Sequence, residues 1–115
     1  MQVRGTDAIA FEAAAALDAY EEQLTQLRRH GADPGRIGAM QAALRRAGSL
    51  CLRLPHLSGA SLALLLSHHR LLADLARAGD DARLAATAPS LEPVEECVRD
   101  LQRLCRELFL ASHLQ

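Results

Sequence analysis

The stretch ALRRAGSLCL, residues 43–52, lies in the middle of a long amphipathic pattern that predicts an α-helix. Gly48 interrupts this helix, although glycine in a helix interior costs about 1 kcal/mol relative to alanine. Nothing local requires a glycine there, so its presence raises a functional question. Gly48 lies beside an apolar seam with the spacing of one helix face: Ile37, Met40, Leu44, Ala47, Cys51 and Leu54.

Capping residues bound this helix in the sequence. Asp33 and Pro34 supply a capping carboxylate and a proline at the first helical position. Pro55 ends the helix near Leu54, because a proline disfavours helical backbone at the residue before it.

A first helix is predicted over about residues 7–30, with Thr6 or Asp7 as its N-cap and Gly31 as its stop. The opposite face carries charged residues, so this helix is expected to bury a single face. Its seam again alternates three- and four-residue steps: Ala10, Ala13, Leu17, Tyr20, Leu24 and Leu27.

A third helix is predicted from Ser58 or Ser61 to Ala78, with Gly79 as its stop. Because it carries two apolar stripes, it is expected to be central or packed on two sides. One stripe is Leu62, Leu65, His69, Leu72 and Ala76, and the other is Leu64, His68, Leu71, Leu75 and Ala78.

The last part of the chain predicts a short helical turn at residues 81–86 and a fourth long helix from Ser90 or Glu92 to about Ser112. Four long helices with short connections predict an all-α protein, an antiparallel up-down four-helix bundle, with residues 1–115 as a single domain. The seam of the fourth helix is Val94, Val98, Leu101, Cys105 and Leu108.

Composition narrows the function classes. Among the 115 residues are 22 Ala and 22 Leu, which favour helix, and the formal net charge is −1. A broad positive field is missing, so nucleic-acid binding is disfavoured. The chain has neither a signal-peptide pattern nor an apolar run of about 18 residues, so we expect a cytoplasmic protein without a membrane association.

Five histidines are the candidate ligands or acid–base groups: His30, His56, His68, His69 and His113. Adjacent His68 and His69 point about 100° apart on a helix, so they do not form the usual paired metal ligands. No nucleophile motif or phosphate-binding glycine loop is present. We therefore expect no metal, no cofactor and no enzymatic activity.

Over about residues 17–110 the sequence resembles histidine-containing phosphotransfer (HPt) domains. Ala47 and Leu50 match the alanine and leucine beside the phosphoacceptor of that family, and Leu62 matches the leucine that begins its third helix. Residues 73–80 and 88–92 resemble its later Ala-Arg-x-Gly-Asp turn and Leu-Glu helix start. The resemblance implies an HPt-like bundle in bacterial two-component signalling.

The departures from the HPt pattern concentrate at its chemical site. By resemblance, Gly48 stands where the phosphoacceptor histidine would be, Cys51 replaces a lysine and Leu52 replaces a glycine. His56 replaces the usual asparagine. A glycine has no side chain to phosphorylate, so the resemblance implies that phosphotransfer at this position is lost.

The resulting hypothesis is a noncatalytic protein-interaction or regulatory module. Cys51 and Leu52 are expected to expose apolar surface where active HPt domains present a charged site, and such patches mark partner contacts. The expected partner is a receiver-like domain, a sensor kinase or another regulator. The residues predicted to form the contact are Arg45, Gly48, Cys51, Leu52 and Arg53.

Two alternatives remain. The first is active phosphotransfer through a relocated histidine, with His69 or His68 as acceptor, His56 as a weaker candidate and Arg70 as the nearby cation. The second is a secretion chaperone or assembly factor that forms a homodimer through the doubled apolar stripes of the third helix.

Overall fold

The chain folds into helices joined by short connections. The computed structural model describes residues 5–113, and these residues contain helices and no strand, which confirms the predicted all-α class. No helix in this range combines the length and the apolar content needed to cross a membrane. The helices are α1 Thr6–His30, α2 Pro34–Cys51, a 3-10 helix Pro55–Leu57, α3 Ser58–Ala78, α4 Ala82–Ala86 and α5 Leu91–His113.

Helix α1 buries the whole of its predicted seam, from Ala10 to Leu27. It begins without a side-chain cap, since its N-cap is Gly5, and the predicted cap at Thr6 or Asp7 is wrong. Gly31 ends it with φ +80°, and the Gly31 N–H donates to the Leu27 carbonyl at 2.9 Å. A Cβ on Gly31 would lie 2.7 Å from the Cβ of Ala82, so glycine is also needed for this close approach.

Helix α2 starts as predicted and ends earlier than predicted. The Asp33 carboxylate accepts from the Arg36 N–H at 2.9 Å, and Pro34 occupies the first helical position. The α-helix ends at Cys51, three residues before Leu54. The Arg53 and Leu54 amides donate to the carbonyls of Leu50 and Cys51, three residues earlier, and this hydrogen-bond spacing is tighter than that of an α-helix. Leu54 is extended, as a residue before a proline tends to be.

Helix α3 buries one of its two apolar stripes and exposes most of the other. The buried stripe is Leu64, His68, Leu71 and Leu75. Leu62, Leu65 and His69 of the other stripe are exposed, so the prediction that this helix is central or packed on two sides is wrong within residues 5–113. Gly79 ends α3 as predicted, with φ +61°.

The helices share one apolar core with an open edge. Helix α1 packs along α2 on one side and along α5 on the other, and α3 packs mainly against α5. Helices α2 and α3 scarcely touch. The bulkiest fully buried side chains among the described residues are Tyr20, Met40 and eight leucines: Leu17, Leu24, Leu27, Leu57, Leu64, Leu71, Leu91 and Leu101.

Polar contacts join the helices at the surface of this core. Arg28 on α1 and Glu95 on α5 form a two-point ion pair, with the Nε–Oε2 distance 2.9 Å. Asp74 on α3 accepts from the Ser90 N–H at 3.1 Å, just before α5 begins, and also pairs with Arg77. The hydrogen bonds from Ser90, together with the Arg77 charge, lower the pKa of the Asp74 carboxyl. These contacts help to fix α5 against α1 and α3.

The difference between the two stripes of α3 is directly testable. Leu71→Ala removes a fully buried side chain and is expected to lower the free energy of unfolding by about 2–5 kcal/mol. Leu62→Ala, in the exposed stripe of the same helix, is expected to change it by less than about 0.5 kcal/mol. Urea denaturation followed by circular dichroism measures both. Equal losses would mean that both sides of α3 are buried in solution.

Candidate functional site

An open groove of about 510 Å³ lies between α2 and α3. It follows the edge at which these two helices leave the core uncovered. From α2 and the residue after it the groove is lined by Gln41, Leu44, Arg45, Gly48, Ser49 and Leu52. From α3 it is lined by Ser58, Ser61, Leu62, Leu65, His68, His69 and Leu72.

The groove runs lengthwise along both helices. Its outermost lining residues on the α2 side are Gln41 and Leu52, about 16 Å apart at a helical rise of 1.5 Å per residue. On α3 they are Ser58 and Leu72, about 21 Å apart. The site is therefore an elongated channel open to solvent.

Leucine side chains make the groove apolar. Leu52 is 76% exposed and Leu62 is 56% exposed, and Leu65 is exposed beside them. Leu66, 53% exposed, extends the patch along the outer side of α3. Exposed apolar side chains that gather on one face mark a contact surface more often than isolated ones do.

Gly48 opens directly into the groove. It is half-buried, and a Cβ built on it would meet no atom within 4 Å. No neighbouring helix crosses over it, so packing within residues 5–113 does not require a glycine here. The position at which the HPt resemblance places the acceptor faces open space.

The structure brings some of the predicted contact residues together and separates others. Arg45, Gly48 and Leu52 line the groove, whereas Arg53 is exposed outside its lining. Cys51 is fully buried, so the expectation that it adds apolar surface is wrong. It belongs to the inward seam of α2, and its burial raises the pKa of the thiol.

His68 is a core residue. It is buried on α3, and its Nδ1 lies 2.7 Å from the Tyr20 hydroxyl on α1. Burial, with a smaller effect of neighbouring His69, lowers the pKa of His68 to about 4, so the ring is neutral at neutral pH. This arrangement disfavours His68 as a phosphoacceptor, because the imidazole is covered and its Nδ1 is engaged.

His69 is the exposed imidazole of the groove. It lines the channel on the α3 side, and the Arg45 guanidinium group lines it on the α2 side. Arg70 is exposed on α3 but lies outside the lining. His56 is exposed on the 3-10 helix, also outside the lining. Of the three histidines considered as acceptors, His69 alone is an accessible lining residue.

A local excess of positive charge surrounds the groove. Residues 34–73 contain five of the 13 arginines and none of the 14 acidic residues of the chain. Among the residues that the structure describes, no carboxylate pairs with Arg45, Arg46, Arg53 or Arg70. A net charge near zero hides this asymmetry, but counting charge by segment reveals it in the sequence.

No protein-family model, curated protein or solved structure matches the chain. Within residues 5–113 no group of three or more His, Cys, Asp or Glu side chains could hold a metal ion. The polar chemistry of the groove consists of one exposed imidazole, a guanidinium group, an amide and serine hydroxyls. Together with the leucines, these groups are suited to binding.

Gly48→Ala is expected to raise the free energy of unfolding by up to about 1 kcal/mol, because the new methyl group meets no atom and alanine favours helix. Gly38→Ala serves as the control, since Gly38 also lies within α2 and is open. Thermal and urea unfolding measure both variants. A destabilised Gly48→Ala variant beside a stabilised Gly38→Ala variant would show that Gly48 is covered.

The buried His68 predicts a loss of stability in acid. Its folded-state pKa of about 4 lies below the ordinary value of 6.5, so the unfolded chain takes up the proton first. The contribution of neutral His68 to the free energy of unfolding is fully present above pH 6.5. It falls by about 3 kcal/mol as the pH approaches 4.

A Tyr20→Phe/His68→Leu double variant removes both partners and should lack this part of the pH dependence. Urea denaturation of both proteins between pH 7 and pH 4 provides the comparison. If the free energies of unfolding of the two proteins fell in parallel with pH, His68 would titrate normally in the folded state.

Proposed function

We propose that the chain is a noncatalytic, HPt-like protein-interaction module in bacterial signalling, which binds a protein partner in the cytoplasm through the α2–α3 groove. The observation that carries this proposal is an apolar channel open along α2 at Gly48. That is the site at which the resemblance places the missing phosphoacceptor.

The all-α fold is compatible with the proposal. The four long helices α1, α2, α3 and α5 share one core, and under the resemblance they would correspond in order to the four helices of an HPt bundle. Residues 43–52 carry the HPt-like pattern, and Gly48 lies on the side of α2 that lines the groove. The proposal includes an antiparallel up-down arrangement of these four helices.

The side chains favour binding over transfer. Gly48 offers no atom that could carry a phosphoryl group, and buried Cys51 offers no cation to a phosphate. Leu52 instead presents a hydrocarbon side chain at the rim of the groove. An exposed leucine next to an open glycine provides a hydrophobic contact and the space for a partner's side chain to enter.

Two alternatives have particular observations in their favour. Active phosphotransfer through His69 is favoured by its exposure in the groove with Arg45 on the opposite wall. A dimeric secretion chaperone or assembly factor is favoured by exposed Leu62, Leu65 and Leu66 on α3. A symmetric dimer at this face would also bring together two positively charged segments, which opposes it.

Affinity capture tests the docking role with wild type, Leu52→Asp and Leu110→Asp as baits. Leu110 is 52% exposed on α5 and does not line the groove, so its substitution is the matched control. We expect wild type and Leu110→Asp to retain the same receiver- or kinase-containing protein, and Leu52→Asp to reduce its recovery at least tenfold. Equal recovery by all three folded baits would contradict docking at this groove.

The same proteins also distinguish binding from phosphotransfer. After incubation with a phosphorylated receiver domain, the noncatalytic role requires that no acid-labile phosphate appears on the chain. Label that appears on wild type and disappears in His69→Gln would replace the proposed role by active transfer.

A further inference from the structure

We propose that the occupant of the groove is an amphipathic helix of about three to four turns, whose apolar stripe is flanked by Asp and Glu side chains. This inference rests on the proposed function, because it identifies the chemistry of the partner at the same site. The length of the channel, the open glycine and the distribution of charge each support it.

The channel has the dimensions of a helix-binding site. Its walls extend over about 16 and 21 Å along α2 and α3, which is the length of a helix of about 11–14 residues. Amphipathic helices bind such grooves through apolar residues spaced three and four apart. Leu52, Leu62 and Leu65 provide the matching apolar surface in the channel.

Gly48 allows close approach at the wall of the channel. Because a Cβ there would meet no atom of the described chain, the space is available to a side chain of the incoming helix. Small residues at helix contacts let two backbones approach closely. A large side chain at position 48 is expected to project into this space, because its Cβ meets no atom within 4 Å.

The charge of the occupant follows from the unpaired arginines. Arg45 lies in the groove itself, and Arg46, Arg53 and Arg70 are exposed on α2, on the segment after it and on α3. No acidic residue occurs between Asp33 and Asp74 to neutralise them. Acidic side chains beside the apolar stripe of a partner would complement this charge and favour association.

A second copy of the chain fits the groove less well than an acidic partner. Symmetric pairing would place the same arginine-bearing segments against each other, and close like charges oppose association. Contact between this groove and a different surface of another copy would be head-to-tail, which produces open-ended assemblies unless the rotation closes a ring. Self-association is therefore an outcome that would contradict the proposal.

Stapled helical peptides test the inference by fluorescence anisotropy. The probe is about 14 residues long, with leucines three and four apart and glutamates beside them. One control replaces every glutamate by lysine, and a second keeps the composition but scrambles the stripe. We expect the acidic amphipathic peptide to bind at least tenfold more tightly than either control, and its affinity to fall as salt is raised.

Variants of the chain locate the binding site. Gly48→Leu should weaken binding of the acidic peptide at least tenfold, whereas Gly38→Leu, at an open position on the same helix, should leave it unchanged. Arg45→Glu should lower the affinity for the acidic peptide and raise the affinity for the lysine peptide. A merely structural effect would not produce this reversal.

Three results would overturn the inference: equal affinity for the acidic and lysine peptides, indifference to Gly48→Leu, or self-association that Gly48→Leu abolishes. A captured partner that depends on Leu52 but contacts the groove through something other than an acidic helix would overturn the inference and leave the docking role intact. Loss of the docking role itself would appear in the affinity-capture experiment.

Discussion

Helix α2 presents Gln41, Arg45 and Gly48 to the groove beside α3, and the architecture depends on this set of residues. The Gln41 amide, the Arg45 guanidinium group and the empty position at Gly48 offer no apolar side chain that could interdigitate with Leu62 and Leu65. Of the leucines on the α2 side, Leu44 belongs to the core and Leu52 follows the end of the helix. Closing the edge would bring Arg45 into an apolar contact without a carboxylate partner, which is unfavourable. The two helices therefore pack on their other neighbours and leave the channel between them.

The sequence predicted most of the helices because their signals are local. Asp33 and Pro34 fix the start of α2, and Gly31 and Gly79 provide the positive φ angles that end α1 and α3. Which of the two apolar stripes of α3 is buried depends on the helix that packs against α3. Periodicity alone therefore could not predict it. The early end of α2 likewise reflects the turn that leads into Pro55.

The candidate site could be predicted in part. The resemblance identified Arg45, Gly48 and Leu52, which the structure places in one groove. It also suggested Cys51, although Cys51 continues the apolar seam of α2, and the structure follows that periodicity. Periodicity likewise accounts for the burial of His68, which lies on the same stripe of α3 as buried Leu64, Leu71 and Leu75. The existence of the groove could not be predicted, because it arises from the sparse contact between two helices, α2 and α3.

Three unfavourable features coincide at this edge: a helix-interior glycine that packing does not require, leucines exposed to water, and an arginine, Arg45, without a carboxylate partner among the described residues. None is decisive alone, since Gly38 is equally open and Leu110 is also exposed, yet neither lines the groove. Departures from local stability rules are expected where a surface serves a function. An acidic amphipathic helix would bury the leucines, occupy the space at Gly48 and pair with Arg45, so one occupant accounts for all three.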